Sequence, residues 1–359
     1  MPTPITQDNI QKAVRHWCGD TKSHSSAQST YGHISTWETS QVTDMSGLFA
    51  NKATFNDDIS GWDFLWNDNN PYDDTDFGHG TGESKDSTAE GGNTSGQPGV
   101  CPSCSVMNVR VGDSFVVDAN NWAAGIVYSV DNGAEVLLSA VGSINNTSFS
   151  QAAIEYAYDR GIFNIMSAAD ETAQHQNYPG AVAHAEYVHA IRYDKEDINQ
   201  ATTWVNFSNC TNFGARLTLS ASSTSCSSGA TGMTSGTAGL AASALKDTDL
   251  GPLSGSEIHQ LFIHSVDDVN IASSQTTHAE YNDKLYPSQE GWDAYFGYGR
   301  LSAKKMVDNV LDANIPPEAD ILSPRWWHMI DPTQGNVEIT GEARTNRSDG
   351  EGTWILEYA

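Results

Sequence analysis

Basic residues are scarce in this chain of 359 residues: 18 lysines and arginines stand against 45 aspartates and glutamates, a formal charge of −27. That imbalance argues against nucleic acid and anionic membrane as partners, because the phosphate contacts that dominate such affinities would become repulsive. Long apolar runs are missing too. The stretches Glu135 to Val141 and Gly161 to Ala169 fall far short of the roughly 20 residues that a membrane span needs. The opening, Met1 to Val14, has no charged-then-apolar pattern of a secretory signal peptide. Cysteine is sparse and odd in number, so the five thiols cannot all pair within one chain.

Cys101 and Cys104 form a C-x-x-C. No second C-x-x-C or H-x-x-x-H accompanies it, which argues against zinc, and its place in a loop ahead of a strand argues against a redox pair. A small loop-closing disulfide or two free thiols is the better reading. Cys210 and Cys226 flank an expected strand and suit a second bridge, which leaves Cys18 over.

What is present is a supply of aromatics, 10 Trp, 13 Tyr and 11 Phe, large enough to bury a core and exclude wholesale disorder. The length fits two or three domains, and the composition changes twice along it. In residues 1–62, Ile10 to Trp17 reads as a short helix. Then Trp37, Val42, Met45, Leu48, Phe49, Phe55, Ile59 and Trp62 follow neither the strand period nor the helix period, the texture of a solenoid repeat. The run from Ile34 to Asp63 resembles one repeat of the BspA-like leucine-rich surface proteins. A single unit cannot bury both its faces, so it reads as a solenoid-type repeat remnant.

Residues 63–313 alternate. Ser105 to Val111 reads as a buried strand, Asn121 to Asp131 as a helix, Glu135 to Ser139 as a strand, Ser150 to Arg160 as a helix and Ile162 to Ser167 as a strand. That rhythm predicts an α/β domain with a parallel sheet flanked by helices. Ser228 to Leu245, Glu257 to Val266 and Ala303 to Leu311 read as further helices, and Asp68 to Asn93 as a Gly/Ser/Asp-rich loop. After Pro316 and Pro317, residues 316–359 carry two alternating segments, Val337 to Thr340 and Trp354 to Tyr358, like strands of a sandwich. Two strands are too few for a domain, so this is expected to be the start of a truncated β module.

Two segments carry chemistry. In Gly78-His79-Gly80-Thr81 a histidine sits between glycines, which let another chain approach closely. In Ser225-Cys226-Ser227-Ser228-Gly229-Ala230-Thr231-Gly232 a serine-rich loop runs into a helix of tiny side chains. A serine there has the positive end of the helix dipole and free N–H groups beside its oxygen, which suits a developing oxyanion. A surface-loop histidine and an ordinary N-cap serine are the plain alternatives.

The order and spacing of these motifs resemble the subtilisin-like serine peptidases over about Trp62 to Ala313. Gly78-His79-Gly80-Thr81 resembles the family's histidine motif, and Ser228 with Ala230, Gly236 and Leu240 falls in the register of its nucleophile motif. Asn177-Tyr178-Pro179-Gly180 and Phe296-Gly297-Tyr298-Gly299-Arg300 resemble later motifs. The resemblance implies a subtilisin-like fold and a secreted or cell-surface serine endopeptidase acting on protein or peptide substrates without a cofactor. It makes Ser228 the nucleophile and His79 the general base, puts Asp170 in the oxyanion position, and has Ser139 line the substrate cleft and pair with the bound peptide backbone. Several positions depart from the pattern. Cys226 and Ser227 stand for Gly-Thr, Gly232 for a proline, Gly82 for a second histidine and Asp170 for an asparagine. The aspartate motif that should precede the histidine is replaced by the surface-protein repeat, within which Asp44 imitates its spacing; Asp57 and Asp58 fit less well. The acidic run Asp68, Asp73, Asp74 and Asp76 reads as a solvated loop, with calcium as the alternative. The rival to a working enzyme is a catalytically degenerate surface or adhesion protein, or a truncated fusion product.

Overall fold

Ile10, Ala13 and Val14 recur at helical spacing and form the buried face of α1 (Ile10–Trp17). The computed structural model describes residues 2–6, 8–17, 21–31, 61–73, 77–92, 96–143, 146–192, 206–207, 210–223, 225–270, 288–324, 329–331, 333–345 and 347. Asp44, Asp57, Asp58, Cys18, Asp74, Asp76, the segment Trp354 to Tyr358 and nearly all of the expected repeat lie outside them. The chain divides into two units, residues 1–76 with 105–111, and residues 77–104 with 112–359.

The first unit holds α1, α2 (Thr21–Tyr31), and the parallel pair β1 (Gly61–Asp63) and β2 (Asn108–Arg110). α2 escapes the sequence reading because its run is polar; among its described side chains Ala27 and Tyr31, one turn apart, face the interior. The expected buried strand Ser105 to Val111 is corrected: β2 has three residues, and the one that is buried is Arg110. Its guanidinium points inward to an ion pair with the buried Asp63 at 3.1 Å. The other Asp63 oxygen accepts the N–H groups of Leu65 (2.7 Å) and Trp66 (2.9 Å), closing the turn after β1.

The second unit runs α3 (His79–Thr88), α4 (Ala119–Asp131), β3 (Val136–Ser139), α5 (Ser148–Tyr158), β4 (Phe163–Ser167), β5 (Glu186–Arg192), β6 (Asn206–Phe207), β7 (Leu219–Ser222), α6 (Ser227–Leu245), α7 (Gly255–His264), β8 (Val266–Asp267), β9 (Arg300–Leu301), α8 (Ala303–Leu311), β10 (Glu318–Ser323) and β11 (Thr340–Arg344). The sheet order is β3-β4-β5-β7-β9-β8, parallel from β3 through β9, with β6 and β8 antiparallel to β5 and β9. The expected α/β parallel sheet is present. All five residues of β4 are buried, as a strand covered on both faces requires. Three boundaries are corrected. The expected loop Asp68 to Asn93 contains α3, the expected helix reaching Val266 ends at His264, and the expected strand Val337 to Thr340 is replaced by β11, which begins at Thr340.

The largest core cluster joins Phe163, Ile165, Val188 and Leu219 of the sheet to Ala230, Ala238 and Ala241 of α6, Leu261 and Phe262 of α7, and Met306 of α8. Small side chains let α6 bury nearly its whole circumference. At the far end of the chain, β10 and β11 form an antiparallel ribbon beside α7. Arg347 donates to Glu257 (2.6 Å) and to the carbonyls of Leu250 and Pro252, and Arg344 pairs with Glu318 at 3.3 Å. Both glutamates are 4% exposed.

Candidate active site

α3 begins at His79 because Gly78 takes a left-handed conformation (φ 72°) that turns the chain into the helix, a backbone state natural to glycine. No side chain caps this end. α3 packs on α6 through glycine: a Cβ added at Gly232 would lie 2.8 Å from the Glu83 carbonyl oxygen and 2.9 Å from Asp86 Cβ, and one at Gly236 2.7 Å from the Ser87 carbonyl oxygen. With the two helices this close, their first turns meet. His79 Nε2 lies 3.0 Å from Ser228 Oγ.

The surroundings keep the imidazole in its basic form. The Phe115 ring stands edge-on to it with centroids 4.5 Å apart, and Phe77 leans on Phe115 at 4.7 Å. Burial lowers the pKa of His79, with the charge of Asp170 acting the other way. A neutral imidazole beside a serine hydroxyl, at the positive end of a helix, is the arrangement that activates a serine nucleophile.

Asp170 follows β4. Its Oδ1 accepts two bonds from Ser227, the backbone N–H at 2.9 Å and the hydroxyl at 2.5 Å. The Ser227 hydroxyl also lies 2.6 Å from Ser167 Oγ. Asp170 is therefore tied to the residue preceding Ser228. Burial pushes its pKa up, and the two bonds from Ser227 oppose that rise. Ser139 is buried, and its hydroxyl accepts the indole N–H of Trp122 at 2.8 Å. Its side chain fastens α4 to β3, so pairing with a peptide would fall to its backbone.

The structure adds two carboxylic acids that the sequence reading passed over. Glu83, one turn after His79, is 7% exposed, with Oε1 3.6 Å from His79 Nε2. Its Oε2 has no hydrogen-bond partner among the described residues. Burial, then the charges of Asp86 and Asp170, push its pKa up to about 7. Asp86 is raised by burial as well. The spacing of four between His79 and Glu83 was visible in the sequence, but it places the two side chains together only if the segment is helical.

Both cysteine pairs are bridged, Cys101 to Cys104 and Cys210 to Cys226. The second anchors the N-cap residue of α6, two positions before Ser228. In the acidic run, Asp68 Oδ1 accepts the N–H of Asn70 at 2.9 Å. Among the described residues no three His, Cys, Asp or Glu side chains gather as a metal site would need, and no helix is long and apolar enough to cross a membrane.

Known proteins resemble this chain in sequence and in fold. The chain is 34% identical over 145 residues to thermitase of Thermoactinomyces vulgaris, an alignment covering 39% of this chain and 48% of thermitase. It is 28% identical over 151 residues to the thermophilic serine proteinase of Bacillus sp. (strain AK1), covering 41% of this chain and 37% of that protein. The matched region thus spans less than half the length of either relative. Among solved structures, sphericase superposes with a TM-score of 0.50 at 21% identity, covering 62% of this chain and 76% of its own. A lanthipeptide protease does so with a TM-score of 0.51 at 16% identity, covering 69% and 80%. At these identities the structures show a shared fold. Residues 19–299 match the subtilase family, and the chain belongs to it.

Proposed function

We propose that this protein is a serine endopeptidase that hydrolyses peptide bonds through an acyl-enzyme on Ser228. The contact of 3.0 Å between His79 Nε2 and Ser228 Oγ carries the reading. As Oγ attacks the peptide carbonyl carbon, its proton passes to Nε2, and the carbonyl oxygen becomes an oxyanion near the N-terminus of α6. Collapse breaks the C–N bond, and the Nε2 proton goes to the leaving amine. Water, deprotonated by His79, then releases the acyl group. Asp170 stands at the oxyanion position, and the backbone at Ser139 is the edge on which a substrate strand would lie. The protein is secreted or displayed at a cell surface, a reading supported by two disulfides, which persist in oxidising compartments. Residues 63–313 are the peptidase domain, preceded by a surface-protein repeat in residues 1–62 and followed by a β module in 316–359.

A fluorophosphonate probe tests the reading, since it reacts readily only with an activated serine. Mass spectrometry is expected to place one adduct on Ser228 and none on a Ser228→Ala variant. An adduct on Ser225 or Ser227 would shift the register of the site. A folded protein that takes up no probe would favour the rival reading, a degenerate surface protein.

A further inference from the structure

The family's aspartate motif is missing ahead of His79, yet a carboxylate lies beside the ring. We infer that Glu83 is the acid partner of His79, a positioning residue that stabilises the imidazolium formed when Ser228 gives up its proton. This rests on the serine peptidase reading. Four residues apart on α3, the two side chains share one helix face. The carboxylate is 7% exposed and Oε1 lies 3.6 Å from Nε2. Oε2 is buried with no hydrogen-bond partner among the described residues. Leaving such an oxygen unbonded costs stability, and a neutral apolar side chain at this position would avoid the cost. A charge demand during the reaction accounts for keeping the carboxylate there.

The contact also fixes how Glu83 works. A triad aspartate bonds the far nitrogen of the ring and selects its tautomer. Glu83 instead flanks Nε2, the nitrogen that faces Ser228 Oγ and receives the proton. When the Oγ–H bond breaks and Nε2–H forms, the new N⁺–H lies within reach of Oε1 and an ion pair results. The pair dissolves when Nε2 passes the proton to the leaving amine. Glu83 holds no proton at any step and must be ionised to serve.

The groups facing it set when that is so. Asp86 on α3 and Asp170 after β4 both oppose its ionisation, and α6 contributes no charged side chain anywhere along Ser227–Leu245. Phe77 and Phe115 add only apolar surface around the ring. Glu83 therefore ionises near neutrality, above the pH at which His79 is already neutral, and it governs the rise of activity with pH.

Two measurements test this. In a Ser228→Ala background, the His79 ring protons are titrated by NMR with Glu83 intact and as Glu83→Gln. Because Glu83 ionises above the His79 midpoint, the His79 resonances should show a second inflection near pH 7 with Glu83 intact, and Glu83→Gln should abolish it. In the active protein, Glu83→Gln should reduce kcat about 10²-fold, less than the roughly 10⁴-fold cost of losing a directly bonded triad aspartate. It should also move the ascending limb of the rate profile below its position near pH 7, while Glu83→Asp restores part of both. A His79 titration without that inflection, or an unchanged limb and kcat in Glu83→Gln, would overturn the role. If the wild type takes up no fluorophosphonate, the peptidase reading fails instead, and the NMR titration still decides whether Glu83 and His79 are coupled.

Discussion

Between Asp170 and an asparagine the difference is one heavy atom, yet at the start of α6 it reverses what the group can offer an oxyanion. A carboxylate only accepts hydrogen bonds, whereas an amide also donates. The observed geometry favours the exchange, since Oδ1 alone accepts both bonds from Ser227 and an asparagine would keep them while presenting Nδ2–H₂ where Oδ2 now sits. Burial raises the Asp170 pKa, so the acid stays neutral to higher pH than an ordinary carboxyl. Above that point its charge opposes the oxyanion and the rate should fall. Asp170→Asn is expected to raise kcat at pH 8 by about 10²-fold, the scale of one oxyanion donor, and to abolish that fall. Rate profiles of the two proteins check both outcomes. At this scale His79 and Ser228 were legible through the order of motifs shared with the subtilisin-like peptidases, since glycine flanks and a small-residue helix alone left plainer alternatives open. Glu83 was not legible, since its meaning depends on a helix that no apolar pattern announces. Ser139 was picked out by its place in a strand, but sequence spacing could not show that Trp122 reaches its hydroxyl.

α3 and α6 carry the site between them, and they illustrate which elements a sequence displays. α6 declares itself through its run of Ala, Gly, Ser and Thr beside the strands it covers. α3 has Glu83 and Ser87 as its buried side chains, so it shows no hydrophobic period and resembles a loop on paper. Its register comes from the partner, whose glycines admit its backbone. Gly232→Val should therefore act on both helices: the new side chain meets the Glu83 carbonyl and Asp86 Cβ inside contact distance. Overpacking of this kind costs roughly 1–3 kcal/mol. Chemical denaturation should show that loss, and fluorophosphonate labelling of Ser228 should slow with it, because His79 moves with α3. The β2 region misled for the converse reason. Its Val-rich stretch looks buried, but the residue that points inward is Arg110, called there by Asp63.

Over the whole molecule, the charge of −27 and several displaced titrations bear on stability together. Glu83 is neutral in the fold up to about pH 7, while in the unfolded chain it ionises near the ordinary glutamate value of 4.5. The native state thus binds more protons, and stability falls as pH rises through that window. His259 pushes the same way. Burial works against its protonation, but the Glu186 carboxylate at 3.0 Å raises its pKa, so its contribution is present at low pH and lost above its folded midpoint. Mutual repulsion among the surplus acids also grows as protons leave. The lowered carboxyls Asp267 and Asp320 are ionised in both states above about pH 5 and add no slope there. The lowered His79, His189 and His264 oppose this slope around pH 6.5, so the drop due to Glu83, a few degrees of thermal midpoint or on the order of 1 kcal/mol between pH 6.5 and 8, is read by comparing variants. Glu83→Gln should flatten that drop, and added salt should reduce the part due to repulsion.

For the peptidase proposed above, the clasp formed by β10 and β11 has a separate meaning. Self-digestion starts where an end works loose, and the ribbon of β10 and β11 is held to α7 and the turn before it through Arg347 on Glu257 and Glu318 on Ser254. A first nick between Ala313 and Glu318 that releases the ribbon would carry Arg347 away and leave the buried Glu257 carboxylate without it. Leaving a buried carboxylate without its partner costs stability. Such a nick would not yield a trimmed enzyme but hasten its unfolding, so the ribbon sets the molecule's working lifetime.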